Sequence, residues 1–321
     1  MRAAVLSVPG EPPAYGEHPD PVPGEGETLV RVTAAPIVPL DLLCASGTSY
    51  FGVPAVPYVP GVQGVGVVER SSVCAEGARV WFATSAGMAP GDGGLAERCA
   101  VPDADVVPLA VPVRDDDAAA LGLSAVAAWM ALTWRARMQP GEKVVVLGGG
   151  GAVGQVALGA ARLLGAERTV AVCRSDAAAE RARRAGAEEV VRLSEDVDAV
   201  AAALTAALDG TADVVIDPVF GIAATAASRV LGPGGRLVNL GGASGDLAEL
   251  SSSVLRSRFV DVLGYTNNAL TAAQRAQALT AVVEQAARGA LSVDHAVLPL
   301  AEVAEGWRRT AGGGRRVVVV P

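Results

Sequence analysis

The sequence predicts a two-domain α/β protein, in which a mainly β domain precedes a doubly wound parallel sheet. Three observations lead to this prediction. The chain has 321 residues, and at roughly 100–200 residues per domain this length indicates two domains. Up to about residue 120, short apolar runs rich in Val, Pro and Gly alternate with turns, as is typical of β structure. From Lys143 onward, strand-like and helix-like segments alternate, which is typical of a parallel sheet covered by helices.

The predicted elements of the second domain follow from hydrophobic pattern and helix-ending glycines. The continuous apolar run at 144–147 indicates a strand buried on both faces. A helix is predicted over 152–164, with Gly165 where a helix-ending glycine is common. The other predicted strands are 169–173, 189–193, 213–216, 236–240 and 316–320, and the other predicted helices are 118–137, 177–185 (stopped by Gly186) and 272–287.

Composition and charge exclude several classes of protein. Hydrophobic residues make up 51% of the chain, which argues against disorder. The net charge is −8 and no basic tract occurs, so we expect no nucleic-acid partner. No segment has the composition of a membrane span, and the N-terminus is predicted to be a strand and not a signal peptide. The four cysteines form no Cys-x-x-Cys pair, so we expect a reducing, cytoplasmic location.

A glycine motif gives the sharpest functional signal. Gly149-x-Gly151-x-x-Gly154 follows a predicted strand and opens a predicted helix, which is the context of the dinucleotide-binding fingerprint. Glycines let the turn tighten and let the pyrophosphate approach the backbone. The helix that begins at Ala152 and Val153 then offers free N–H groups to the phosphates. The sequence therefore predicts a cofactor site at these five residues.

The end of the second strand of this unit indicates which dinucleotide binds. NAD enzymes usually carry an acid there, but this strand ends at Cys173, followed by Arg174 and Ser175. A guanidinium suits a 2′-phosphate, so the predicted cofactor is NADPH, with Arg192 as a second phosphate contact. The alternative is that Arg174 is an ordinary surface arginine. Asp176 is predicted to cap the next helix and not to bind ribose.

Eight short segments, spread along the whole chain, resemble a known family. The matching segments are Ser46-Gly47, Pro57 to Gly61, Gly64 to Val68, Gly93 to Glu97, Pro140 to Val144, Asp217 to Val219, Gly234 to Val238 and Gly314 to Val319. In this order they are similar to the medium-chain dehydrogenase/reductase superfamily, and within it to the zinc-free quinone oxidoreductase (zeta-crystallin-like) branch. The resemblance covers the whole chain, and Val219 and Gly241 join the expected cofactor-binding positions.

The resemblance implies an architecture and an assembly. A GroES-like β domain over 1–120 would be completed by 267–321, and a Rossmann-type domain over 121–266 would carry the cofactor. Relatives often pair through the nucleotide domain. A homodimer is therefore expected, with 258–263 as the edge strand that joins the two copies.

No metal is expected. Zinc-dependent relatives place Cys, His and Glu ligands where this chain has Val38 and Gln63, and neither side chain ligates zinc usefully. The only two histidines, His18 and His295, are expected to be ordinary surface or loop residues.

Without a metal, the predicted reaction is hydride transfer to a conjugated enone or quinone, in which positioning does most of the work. The candidate catalytic residues are Tyr50 and Asp41, although a substrate-lining role is the favoured alternative for Tyr50 and a structural hydrogen bond for Asp41. The family's usual asparagine and threonine near the reaction centre are replaced by Val38 and Ala127, which favours an apolar pocket and a specialised small-molecule substrate of secondary metabolism. Two alternatives stay open: an NADPH-binding sensor or structural protein without turnover, and a zinc-free ketone or alcohol dehydrogenase.

Overall fold

The computed structural model describes all 321 residues. They form two compact units, one made of 1–122, 279–288 and 294–321 and the other of 123–278 and 289–293. The domain boundaries expected from the sequence lie near these divisions and stay a prediction.

The strands are β1 (Arg2–Val5), β2 (Ala14–Glu17), β3 (Glu27–Ile37), β4 (Gln63–Arg70), β5 (Arg79–Ala83), β6 (Arg98–Pro102), β7 (Val106–Pro108), β8 (Lys143–Leu147), β9 (Arg168–Cys173), β10 (Glu189–Arg192), β11 (Ala212–Asp217), β12 (Leu231–Asn239), β13 (Asp261–Gly264), β14 (His295–Pro299) and β15 (Arg316–Val320). The α-helices are α1 (Pro39–Ser46), α2 (Asp115–Met130, extended by a π-helical turn at Ala131–Arg135), α3 (Ala152–Leu163), α4 (Asp176–Arg184), α5 (Val197–Leu208), α6 (Gly221–Val230), α7 (Ser252–Arg258), α8 (Ala272–Ala287) and α9 (Val303–Ala311).

The first unit is built on a seven-stranded sheet in the order β14-β15-β3-β4-β5-β7, with β6 also paired to β3. The last strand, β15, returns to run antiparallel to β3, with Val318 opposite Pro36. Strand β3 is 11 residues long and pairs with β4, β6 and β15. Its alternate residues Val30 and Val32 are buried. The bulky side chains of Phe82, Ile37 and Leu95 fill the core beneath the sheet.

The second unit is a six-stranded parallel sheet in the order β10-β9-β8-β11-β12-β13. This is the doubly wound order 3-2-1-4-5-6, and the strand order reverses between β8 and β11. The four residues Val144–Leu147 are fully buried, as the continuous apolar run predicted. Ligands of such sheets bind outside the carboxyl ends of the strands at this reversal, so we expect a ligand site at the carboxyl ends of β8 and β11.

Several element boundaries differ from the predictions. The edge strand is Asp261–Gly264 and not 258–263, because Ser251 caps a short helix, α7, that ends with Phe259 in the left-handed conformation. Helices α5, α6 and α7 were not predicted from the sequence. One helical stretch, 115–135, is long and apolar enough to cross a membrane, but it is kinked at Gly122, which has φ 35° and ψ −135°. In its most apolar window 67% of the residues are buried within the protein, as in a core helix.

Candidate cofactor-binding site

The turn between β8 and α3 is built from glycines, most of which the protein's own packing requires. Gly148 has a positive φ of 63°. A Cβ on Gly149 would lie 2.6 Å from the Cβ of Ala171, and one on Gly154 would overlap the carbonyl oxygen of Gly148. The turn is closed by the Gly151 N–H, which donates to the Gly148 carbonyl at 2.9 Å. These contacts explain Gly148, Gly149 and Gly154 without any ligand.

Gly151 is the exception among these glycines. Its φ of −78° suits any residue, and a Cβ there would meet only the Gly148 oxygen at 3.4 Å. Gly151 is exposed and is the N-cap of α3, where no side chain caps the helix. A side chain at Gly151 would therefore extend into open space beside the first turn of α3, which includes the N–H groups of Ala152 and Val153. This arrangement fits the diphosphate of a dinucleotide.

The glycine turn is fixed from two sides. Arg181 on α4 donates from Nε to the Gly150 carbonyl at 2.9 Å, and Gln155 on α3 donates to the same oxygen at 3.1 Å. A Cβ on Gly150 would lie 2.5 Å from the carbonyl oxygen of Ala178, so α4 packs directly on the turn. Contacts within the protein therefore hold the turn in place, and a preformed turn is favourable for binding.

The carboxyl end of β9 carries a basic and no acidic side chain. Cys173 ends the strand and is buried, and its burial raises the pKa of the thiol. Arg174 and Ser175 follow it and are exposed. The prediction that Asp176 caps α4 is wrong: Ser175 is the N-cap and accepts from Ala178 N at 3.2 Å. The Asp176 carboxylate instead accepts from Arg192 at 2.8 Å, in an exposed pair of small energetic value.

The ends of β11 and β12 come together beside the glycine turn. A Cβ on Gly148 would lie 2.7 Å from Cγ1 of Val219, so the Val219 side chain covers the start of the turn. Gly241 lies next to Pro218, since its own Cβ would be 3.2 Å from the Pro218 carbonyl oxygen. The structure thus brings Val219 and Gly241, two predicted cofactor positions, to the same sheet edge as the glycine motif.

Sequence reasoning did not single out the polar residues beneath this edge. Asp217, fully buried, accepts from the backbone N–H groups of Val219 and Phe220 and from the side chain of Asn239. The available signal was a carboxylate at the end of a buried apolar strand, a position that rarely holds a charge without a specific partner.

The two catalytic candidates of the first unit have different surroundings. The Asp41 carboxylate is 2% exposed and accepts from Val38 N at 2.8 Å and from Val62 N at 2.9 Å. Burial raises its pKa to about 6, although these N–H groups oppose the rise. Tyr50 is 80% exposed, and its ring lies 4.3 Å from that of Phe51. Asp41 is thus engaged in holding the start of α1 to the loop at Val62, whereas the Tyr50 hydroxyl is accessible.

Metal-ligating side chains do not cluster in this chain. No group of three or more His, Cys, Asp or Glu side chains lies close enough to hold an ion. Gln63, fully buried, accepts from Trp81 Nε1 at 3.3 Å, and His18 and His295 each lie against one aspartate, at 2.8 and 3.5 Å.

Two family models match the chain. The Alcohol dehydrogenase GroES-like domain matches residues 24–112, and the Zinc-binding dehydrogenase model matches residues 152–285. The first therefore covers much of the antiparallel sheet of unit one, and the second begins at the helix that follows the glycine turn.

Curated relatives point to the same group. Quinone oxidoreductase-like protein 2 of Mus musculus is 30% identical over 270 residues, covering 82% of this chain and 74% of the relative. A phenolphthiocerol/phthiocerol polyketide synthase polypeptide of Mycobacterium tuberculosis is 31% identical over 309 residues, 93% of this chain. The match spans only 14% of that polypeptide's own length.

Solved structures agree over the whole length. The quinone oxidoreductase of Thermus thermophilus, solved alone and with NADPH, has a TM-score of 0.83 and 31% identity, with 100% of both chains covered. A cobalt- and zinc-bound alcohol dehydrogenase of Pyrobaculum aerophilum has a TM-score of 0.82 and 28% identity, with 100% of this chain and 99% of the other covered.

Fold and glycine turn together define an oxidoreductase with a GroES-like domain and a Rossmann-type domain, as the sequence predicted. The chain belongs to the medium-chain dehydrogenase/reductase superfamily, in its quinone oxidoreductase branch. The predicted fold class and family are confirmed.

Proposed function

We propose that this protein is an NADPH-dependent reductase that transfers hydride to a conjugated enone or quinone. The observation that carries the proposal is the unfilled space at Gly151, at the uncapped N-terminus of α3. Arg174 at the neighbouring strand end, with no acid at the Cys173 position, favours the 2′-phosphate of NADPH over the ribose diol of NADH. The NADPH complex of the Thermus thermophilus relative supports the same assignment.

Each part of the cofactor has residues that would hold it. The N–H groups after Gly151 would bind the diphosphate, and Arg174 with Ser175 would bind the 2′-phosphate. Arg192 can add a second charged contact by leaving its exposed pair with Asp176. The nicotinamide supplies the hydride when bound, and the edge formed by Val219 and Gly241 would orient that half of the molecule. Strand order supports this division, because β9 and β11 lie on opposite sides of β8.

The substrate class follows from what the chain can stabilise. A conjugated carbonyl accepts hydride at its far carbon, and its oxygen takes up the negative charge. Such an acceptor needs less Lewis-acid help than a simple ketone, which suits a chain without a cluster of metal ligands. The match to part of a polyketide synthase polypeptide supports a role in secondary metabolism, and acyl thioesters are therefore included among the acceptors to be tested.

Proton supply need not involve a buried acid. Asp41 holds backbone N–H groups with both oxygens, so we assign it a positioning role at the start of α1. Tyr50 is accessible and aromatic, and we assign it to the lining of the substrate site. The enolate formed by hydride addition then takes its proton from water or from Tyr50.

We propose a homodimer that pairs through β13 and works in the cytoplasm. This strand is the outermost of its sheet, and Val262 within it and Phe259 just before it are 41% and 81% exposed. Exposed edges of this kind are usually covered in a stable protein. The four cysteines are all free, as in a reducing compartment. Sedimentation of the purified protein tests the assembly, and a monomer at micromolar concentration would contradict it.

Steady-state oxidation of NADPH against a panel of acceptors tests the proposed reaction. The panel holds a cyclic enone, a benzoquinone, a crotonyl thioester and a saturated ketone, with Gly151→Val as the control protein. Turnover with at least one conjugated acceptor and none with the ketone is expected. Tight NADPH binding without turnover on any acceptor would favour a non-catalytic binding protein, and reduction of the saturated ketone alone would favour a ketone or alcohol dehydrogenase.

A further inference from the structure

A buried polar network lies under the carboxyl ends of β11 and β12. Oδ1 of Asp217 accepts from Val219 N at 3.0 Å and from Phe220 N at 2.7 Å. Its Oδ2 accepts from Asn239 Nδ2 at 3.2 Å. The same amide nitrogen donates to the Gly241 carbonyl at 3.0 Å. One carboxylate and one amide therefore fix the backbone of both loops that follow these strands.

The network reaches the neighbouring strands as well. Val219, held by Asp217, presses its side chain on Gly148 at the end of β8. On the other side, the Asn239 carbonyl accepts from Tyr265 N at 2.9 Å, just after β13. The carboxyl ends of four adjacent strands, β8, β11, β12 and β13, are thus linked by these contacts.

The loop held by Asp217 is strained. Phe220 has φ 55° and ψ −152°, a conformation that is essentially restricted to glycine. Gly221 next to it also has a positive φ, of 64°. Strain of this kind persists only where surrounding contacts enforce it, and it concentrates at functional sites. The two N–H bonds to Asp217 act on the strained segment itself and help to enforce it, together with the bond that Ser244 N donates to the Val219 carbonyl at 2.7 Å.

Resting on the proposed function, we propose that Asp217, with Asn239, is a positioning residue for the nicotinamide half of the cofactor. It holds the strained loop at Val219 and Phe220, and the Gly241 carbonyl, in the arrangement that receives the ring. Arg174 follows β9 on the far side of β8, and the glycine turn has its own supports in Arg181 and Gln155, so the adenosine half can bind when the network is weakened. Weakening the network should therefore affect binding of the whole cofactor but not of its adenosine half.

Binding of NADPH and of 2′,5′-ADP separates the two halves, because 2′,5′-ADP carries the adenosine and 2′-phosphate without the nicotinamide. Asp217→Asn keeps an oxygen for the two N–H groups but removes its charge and sets an amide NH₂ against Asn239. Asn239→Leu keeps the branching of the side chain and removes the hydrogen bonds that the amide donates to Asp217 and to the Gly241 carbonyl. Each variant is expected to weaken NADPH about tenfold, which corresponds to about 1.4 kcal/mol. Each should leave the dissociation constant of 2′,5′-ADP within about twofold of wild type, and turnover with saturating NADPH should fall.

Thr169→Val serves as the matched control. Thr169 is fully buried at the start of β9 and donates to the Gly186 carbonyl at 2.8 Å, far along the strand from the proposed site. This variant loses a buried hydrogen bond of the same unit, but both ligands should bind as in wild type. Asn239→Leu keeps the test decisive if Asp217→Asn does not fold.

The backbone strain at Phe220 can be tested without a ligand, by thermal unfolding of two variants. Glycine is ordinarily less stable than alanine by roughly 0.5–1 kcal/mol inside regular structure. At Phe220 the order should reverse, so the unliganded Phe220→Gly protein should unfold at a higher temperature than Phe220→Ala.

Three results would overturn the inference. The first is unchanged NADPH affinity and turnover in both network variants. The second is an equal loss of affinity for NADPH and for 2′,5′-ADP, and the third is a Phe220→Gly protein that unfolds at a lower temperature than Phe220→Ala. A wild-type protein that binds neither NADPH nor NADH would instead overturn the proposed function, and this inference with it.

Discussion

Replacing Gly151 by valine should separate cofactor binding from folding. The backbone there suits any residue, and a Cβ would meet only the Gly148 oxygen at 3.4 Å. Glycine is an acceptable N-cap and valine is a poor one, so the replacement costs up to about 1 kcal/mol of stability. Valine also lowers the conformational entropy of the unfolded chain, which offsets roughly 0.4–1 kcal/mol of that cost. The free energy of unfolding should therefore change by less than about 1 kcal/mol.

The expected loss of binding is much larger. The valine side chain would occupy the space in which a diphosphate reaches the N–H groups of Ala152 and Val153. Hydrogen bonds to a charged group contribute about 1.5–3 kcal/mol each, so losing two costs about 3–6 kcal/mol. This corresponds to roughly a hundredfold to ten-thousandfold weaker NADPH binding.

Gly154→Ala is the matched variant with the opposite expectation. A Cβ at Gly154 would overlap the Gly148 carbonyl oxygen, so overpacking should cost roughly 1–3 kcal/mol of stability. The assays are titration of NADPH by fluorescence and thermal unfolding without ligand. Gly151→Val protein that unfolds like wild type yet binds NADPH within threefold of wild type would refute the reasoning. So would Gly154→Ala protein of unchanged stability.

Four further predictions concern the cofactor, the substrate site and the effect of pH. Arg174→Ala should weaken NADPH about tenfold or more and NADH little, since one charged contact contributes about 1.5–3 kcal/mol; equal losses in paired titrations would identify an ordinary surface arginine. Tyr50→Phe should lower turnover by less than about tenfold and affect the Michaelis constant at least as much; a loss of a thousandfold with intact NADPH binding would show that Tyr50 is the general acid. Elemental analysis should find well below about one zinc per chain, and stoichiometric zinc lost together with activity would contradict this. Because burial raises the pKa of Asp41 from 3.8 to about 6, its contribution to stability is complete below about pH 4 and is lost as pH rises through about 6, by about 3 kcal/mol in all. The difference in unfolding free energy between wild type and Asp41→Asn should follow this curve, and a difference independent of pH would show that the carboxyl is not shifted.

The sheet of the second unit was predictable because its strands are buried on both faces. Such strands must be continuously apolar, so Val144–Leu147 stands out from the sequence. The helix endings at Gly165 and Gly186 were equally readable, since both glycines adopt a positive φ that other residues avoid. Helix α5 was missed because Ala dominates it, and an alanine-rich amphipathic segment gives little contrast between its two faces.

Boundaries and caps were less predictable because neighbouring residues compete for them. Ser175 and Asp176 are both favourable N-caps, and sequence alone does not rank them. The structure assigns the cap to Ser175, since Asp176 pairs with Arg192 from the adjacent strand β10. That partner is 16 residues away along the chain, and only the parallel pairing of β9 with β10 brings it close.

The glycine motif shows what a pattern can and cannot say about function. As letters, Gly149, Gly151 and Gly154 are equivalent members of one fingerprint. In the structure, Gly149 and Gly154 are required by contacts within the protein, and only Gly151 faces a space that the protein leaves unfilled. The proposed cofactor binding therefore draws its structural support mainly from Gly151, and this difference is visible only when the surroundings of each glycine are compared. Asp217 is a similar case, since in the sequence it belongs to a short family-like segment without an assigned role, and in the structure it accepts hydrogen bonds from two strand ends.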